Sequence, residues 1–282
     1  MRFLVTLCAL AGCAIAHGDG AKQPPYADHV AALKKRLAAR GFGELAVGIE
    51  EPFVVIGDKG SLAKNAQTVR WAADHLEADF FDRRPDRIID IYLFDDAESY
   101  ENGVERLTGE SPTTPYGFYS PSNGAMFMNI GTGGGTLVHE IVHPYVEADF
   151  PDAPAWLNEG LGSLFEQSAE RDGHIVGLTN WRLAGLKGAL SRGEVGSFDR
   201  LAHLSDTAFY ADDRGIHYAQ ARYLLYYLQE KGRLRDFYRA ARAGRAKDAS
   251  GYKALVSALG ERDMAEFQKR WQRFVAKLSF AG

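Results

Sequence analysis

The feature that most restricts the fold of this chain is a change of hydrophobic period near residue 136. Before it, short apolar runs alternate with stretches of helical spacing. Phe53-Val54-Val55-Ile56, closed by Gly57-Asp58, reads as a buried strand, and residues 87–94, rich in Ile and Tyr, as the next. Residues 116–119 and 125–130 read as two short strands around a turn at Pro121-Ser122-Asn123-Gly124. Val30, Leu33 and Leu37 share one face of a helix stopped by Gly41 and Gly43. Residues 61–81 carry Leu62, Val69, Ala73, Leu76 and Phe80 at helical spacing, and residues 96–107 give a further helix. From Thr136 onward helices alone are expected, over 136–148, 155–169, 179–191, 215–231, 234–243 and 263–278. The pattern predicts an α+β architecture. A mixed α/β half with a small sheet (26–135) would precede an all-helical half (136–282), with a functional cleft between them.

The N-terminus reads as an export signal over residues 1–16. Arg2 is a minimal positive region, and the apolar run from Phe3 to Ala11 is too short to span a bilayer. Two endings compete. Ala14-Ile15-Ala16 has the A-x-A form of a cleavage site, whereas Leu10-Ala11-Gly12-Cys13 resembles a bacterial lipobox in which Cys13 would carry lipid. Either ending places the mature protein in the periplasm or cell envelope, the second with a membrane attachment. Residues 17–25, ending in Pro24-Pro25, read as a linker. The only cysteines are Cys8 and Cys13, so the expected mature domain has no disulfide. A net charge of −4 argues against nucleic acid as a partner. The basic stretch from Lys231 to Lys247 is interrupted by Asp236 and has helical spacing, which fits a solvated helix face.

His139-Glu140-Ile141-Val142-His143 carries the chemistry. On a helix the two imidazoles are one turn apart and project from one face, so both can reach a single ion. Glu140 lies about 100° around from His139, beside that ion and able to take a proton from water. A third ligand is at hand in Trp156-Leu157-Asn158-Glu159-Gly160-Leu161, with Glu159 16 residues after His143. Asp149-Phe150-Pro151-Asp152-Ala153-Pro154 supplies the turn that lets the chain reverse. Two His and one Glu leave the fourth position of a zinc ion open, as in catalytic sites.

The segment from His139 to Glu166 resembles the gluzincin zinc metallopeptidases, of the peptidase MA-like group related to the aminopeptidase N-type family. Trp156-Leu157-Asn158-Glu159-Gly160-Leu161-Gly162-Ser163 is close to that family's W-L-N-E-G-F-A-S, where the Glu is the third zinc ligand. The segment Tyr218 to Leu228 resembles the family's Y-x-K-G helix, whose first Tyr stabilises the oxyanion, and Tyr218 follows Glu159 by 59 residues. Gly117-Phe118-Tyr119 and residues 125–130 resemble the sheet edge before the zinc helix. The resemblance implies a thermolysin-like fold and the roles of His139, His143 and Glu159 as Zn2+ ligands, Glu140 as base and Tyr218 as oxyanion donor. The aminopeptidases bind a free amine through the Glu of a G-A-M-E-N strand. Here Gly124-Ala125-Met126-Phe127-Met128-Asn129 has no Glu, so that specificity is not implied.

The expectation is an exported zinc peptidase acting on peptides or proteins, with the strand at 125–130 pairing an extended substrate along its edge. Two other readings stay open: hydrolysis of a non-protein envelope amide such as a cell-wall peptide, and a catalytically silent zinc-binding scaffold. His217 is the nearest rival to Tyr218 as oxyanion donor, and Tyr210 a weaker one. Gly131 to Thr136 lacks the Lys of a Walker motif and reads as a flexible entry to the zinc helix. His29, His75, His174 and His203 have no partner spacing, and Tyr223, Tyr226 and Tyr227 read as helix packing.

Overall fold

The computed structural model describes residues 25–112, 114–212 and 214–280. The expected export signal, with Cys13 and both cleavage sites, and the linker up to residue 24 lie outside the described residues. The chain is α+β, and among the described residues no helix is long and apolar enough to cross a membrane. It divides into two compact units, one running to Ala148 and one from Asp149 onward.

The first unit is built on a five-stranded sheet of order β1-β2-β3-β5-β4. Its strands are β1 (Ala46–Glu50), β2 (Phe53–Gly57), β3 (Ile89–Phe94), β4 (Gly117–Ser120) and β5 (Ala125–Asn129). The β2, β3 and β5 strands run parallel to their neighbours in the centre, while β1 and β4 pair antiparallel at the two edges. All residues of β2, β3 and β5 are buried, which is why they read as continuous apolar runs without alternation. Helices α1 (Tyr26–Ala39), α2 (Leu62–Asp79), α3 (Ala97–Thr108) and α4 (Gly134–Asp149) complete the unit. Leu33, Leu37, Tyr100 and Val104 from α1 and α3 cover Val54, Ile56, Tyr92, Phe94 and Phe127. The other face receives Tyr145 of α4, whose ring packs on Phe53 and stacks on Phe81. A buried carboxylate, Asp90, ties α1 to the sheet by pairs to His29 Nε2 at 2.6 Å and Arg36 at 3.1 Å. Burial lifts the Asp90 carboxyl above its ordinary range in spite of both partners. The α3 helix starts with a capping box in which Asp96 and Ser99 bond each other's backbone N–H.

The second unit carries α5 (Ala155–Phe165), a hairpin of β6 (Ser168–Arg171) and β7 (His174–Gly177), and α6 (Arg182–Ser191). It continues with α7 (Phe198–Ala202), α8 (Asp206–Tyr210), α9 (Ile216–Glu230), α10 (Leu234–Gly244), α11 (Tyr252–Leu259) and α12 (Met264–Lys277). Helices α5 and α9 pack closely because of Gly160. A Cβ there would stand 2.9 Å from Leu225 Cδ1 and 3.2 Å from the Ala221 Cβ. Trp156 is held from below by its Nε1–H on the Ser250 carbonyl, and Asp149 accepts from Tyr238 at 3.0 Å and from Arg242.

Two expectations are corrected, and one strand is added. Helices alone after Thr136 is wrong: α5 stops at Phe165, and the β6–β7 hairpin turns on Asp172 and Gly173, both at positive φ (55° and 78°) as a type I′ turn requires. The strand at 125–130 is not an edge, because β5 spends its hydrogen bonds on β3 and β4; on that side of the sheet the edge is β4. The strand β1, half-exposed and interrupted by Gly48, was not anticipated. The chain divides into its two units after α4, which Tyr145 anchors on the sheet.

Candidate metal centre

The first unit presents three of the expected site residues from α4. His139 and His143 lie one turn apart on it, with ring centroids 5.0 Å apart and planes at 73°. Pro144 stands inside the helix, where it cannot donate to the carbonyl of Glu140. The Glu140 carboxylate reaches outward to the sheet: its Oε2 accepts the Tyr119 backbone N–H at 3.0 Å and stands 3.9 Å from His143 Nε2. That N–H belongs to the edge strand β4, on the side turned away from β5. The same Tyr119 is fixed at its other end. Its hydroxyl donates to Glu147 Oε2 at 2.7 Å and accepts from Arg87, which also binds Glu147 and the Pro121 carbonyl. Burial first, then the Glu147 carboxylate, keep the Tyr119 hydroxyl protonated far above the usual phenol range. The edge strand is thus pinned to α4 at two points, and Glu140 is aimed by one of them. The sequence signal for this was faint: Glu140, His143 and Glu147 recur at i, i+3 and i+7, one helical stripe.

From the second unit, α5 contributes Glu159, buried to 7% exposure. Tyr210, at the end of α8, donates its hydroxyl to Glu159 Oε1 at 2.9 Å. Burial and then the Glu159 carboxylate hold that phenol well above its ordinary pKa. Tyr210, the weaker rival for the oxyanion role, is therefore engaged with Glu159. Tyr218, in the first turn of α9, lies with its ring 6.4 Å from that of Tyr210 and 5.1 Å from Phe209. His217 turns elsewhere. Its Nδ1 bonds the Phe209 carbonyl at 3.0 Å, and its ring lines a groove of about 280 Å³ with Glu194, Arg200, Asp212 and Arg214. Of the remaining histidines, His29 is satisfied by Asp90, while His75 and His203 bond carbonyls one turn back on their own helices.

His139, His143 and Glu159 each bring one ligand atom to within 4.8 Å of the others. His139 and Glu159 are buried and His143 half-buried, so the cluster could hold a metal ion. Two imidazole nitrogens and one carboxylate oxygen form a donor set suited to a divalent transition metal and leave coordination positions open. The Tyr210 hydroxyl on Glu159 is the outer contact that such a ligand needs to fix its orientation.

No curated protein matches the chain. Residues 135–248, from the start of α4 into the segment after α10, are similar to a family described as protein of unknown function (DUF1570), a match that takes in His139, Glu140, His143, Glu159, Tyr210 and Tyr218.

Proposed function

We propose that the chain is an exported zinc metallopeptidase of the gluzincin type, cutting peptide bonds in the cell envelope. The observation that carries this reading is the convergence of one ligand atom each from His139, His143 and Glu159 within 4.8 Å, with Glu140 next in sequence to the first of them. When bound there, zinc supplies Lewis-acid polarisation of the scissile carbonyl and lowers the pKa of water. Glu140 takes one proton of the attacking water as its oxygen adds to the amide carbon. It then passes that proton to the amine nitrogen as the C–N bond breaks. The Tyr119 N–H holds Glu140 Oε2 throughout, so the base keeps its aim. Tyr218 donates its hydroxyl to the oxyanion, a contact that strengthens as charge develops. An extended substrate pairs with the outer edge of β4, one of the sheet's two edge strands, through backbone groups other than the Tyr119 N–H that Glu140 holds. The export assignment rests on the apolar run at the N-terminus and its two cleavage patterns.

The test has two parts. Purified protein should carry about one zinc per chain, lost in His143→Ala and in Glu159→Ala, because each change removes a ligand. Full metal occupancy in both variants sinks the metal assignment. A peptide library digested by the metal-loaded protein and read by mass spectrometry should show cuts. An uncut library in the presence of bound zinc sinks the peptidase reading.

A further inference from the structure

Resting on that peptidase reading, we infer that Trp181 and Arg182 form a subsite for a carboxylate of the peptide substrate. Trp181, at the N-terminal end of α6, is 56% exposed, among the most exposed large apolar side chains described. An exposed indole is ordinarily mobile; this one is held. Its Nε1–H donates to Glu166 Oε1 at 3.0 Å, and the Arg182 guanidinium sits 4.3 Å from its ring centroid. On another side the same guanidinium lies 5.3 Å from the ring centroid of Tyr218. Below this pair, Asn180 is buried and its N–H donates to the Tyr223 hydroxyl, which fixes the backbone from which both side chains project.

The arginine is the reason to expect an anion. Its side chain is only 16% exposed, yet it uses one of its five N–H donors within the described residues: Nε, to Glu166 Oε2 at 3.2 Å. Glu166 also accepts from Trp181 and Asn180, so its lone pairs are shared three ways. Glu166 balances the charge through Nε, while the two terminal NH₂ groups are not among the buried unpartnered atoms and so stay open to an anion arriving from solvent. Its planar fork matches a carboxylate bidentately, and the rings on either side keep the fork from turning away.

Position sets what the carboxylate belongs to. Tyr218 is both a neighbour of Arg182 and the proposed oxyanion donor, and its ring lies beside Tyr210, which holds Glu159. The guanidinium is therefore within about two residues of extended chain, ~3.3 Å each, from the bond to be cut. An Asp or Glu side chain near that bond, or a nearby C-terminal carboxylate, has the right charge and reach. The indole face packs the apolar part of the same residue.

Three peptides of one core sequence separate the sources. One carries an acidic side chain near the cut bond and an amidated end, one is neutral with a free C-terminus, and one is neutral and amidated. Wild-type protein should cleave at least one of the anionic peptides about tenfold to a hundredfold better in kcat/KM than the neutral amide, the size of a charged hydrogen bond lost or made. In Arg182→Gln that ratio should fall toward one. The ratio is the readout, because a loss of folding or of general activity scales all three peptides alike. Equal kcat/KM for all three in the wild type, or a preference that survives Arg182→Gln, overturns the subsite. So does a fall in kcat on every peptide with the ratio kept, which would make Arg182 only a support for Tyr218. Binding of the same peptides to Glu140→Gln protein, followed by tryptophan fluorescence, keeps this apart from the peptidase reading. Arg182-dependent binding of the anionic peptides without any cleavage by the wild type sinks the peptidase reading and leaves the subsite standing. Charge-blind cleavage does the reverse, and absence of both binding and cleavage removes the subsite as well.

Discussion

Tyr210→Phe is the most direct probe of how the candidate metal centre is held. The Tyr210 hydroxyl donates to Glu159 Oε1 at 2.9 Å, and Glu159 is almost fully buried, so water cannot replace the lost donor. The substitution keeps the ring, which packs on Phe209 at 5.5 Å and on Tyr218 at 6.4 Å, so the local fold should persist. Two magnitudes bear on the outcome. A hydrogen bond to a charged group is worth about 1.5–3 kcal/mol. Loss of the partner that orients a metal ligand typically costs about tenfold to a hundredfold in metal affinity, or about 1.4–2.7 kcal/mol. The two agree, and the expected effect is a zinc Kd weakened by roughly that factor. Competition with a chromophoric chelator measures it, with thermal unfolding of the metal-free protein as the control for folding. A Kd within about twofold of wild type would show that Tyr210 is a packing residue whose contact with Glu159 does not set the ligand's orientation.

Other outcomes follow from the same geometry. Glu140→Gln should retain zinc, since Glu140 is beside the ligands and not one of them, while kcat falls by roughly 10²–10⁴; a variant with wild-type turnover removes Glu140 as the base. Tyr218→Phe should lower kcat about a hundredfold, near 3 kcal/mol, with KM little changed. His217→Ala is its comparison, because His217 bonds the Phe209 carbonyl and lines a separate groove; if that variant loses the rate with zinc intact and Tyr218→Phe does not, the roles are reversed. Gly160→Val should destabilise the protein by about 1–3 kcal/mol by driving a branched side chain into Leu225 and Ala221, read as a lower Tm, and an unchanged Tm refutes the close approach of α5 and α9.

Much of this chain was legible because its signals are local. The α4 helix and the pair His139 and His143 follow from a spacing of four residues, and Glu159 from its setting between Asn158 and Gly160. The apolar runs that became β2, β3 and β5 stood out because all their residues are buried. The β6–β7 hairpin carried its own signal in Asp172-Gly173, but an extension of the preceding helical period through residue 169 overrode it. The β1 strand had little to show, with no buried side chain and a glycine at its centre.

What the sequence determined by itself was the class of elements and the residues of the candidate metal cluster, since hydrophobic period and ligand spacing are set by neighbours along the chain. The tertiary structure alone decided the rest. Strand order depends on backbone hydrogen bonds, which no side chain announces, and it made β4 an edge and β5 an interior strand. The different partners of Tyr210, on Glu159, and His217, on the Phe209 carbonyl, depend on which way their side chains face, and α9 is set against α5 at Gly160. The Tyr119–Glu147–Arg87 brace and the Trp181–Arg182–Glu166 cluster join residues distant in sequence, so their existence is a property of the folded chain.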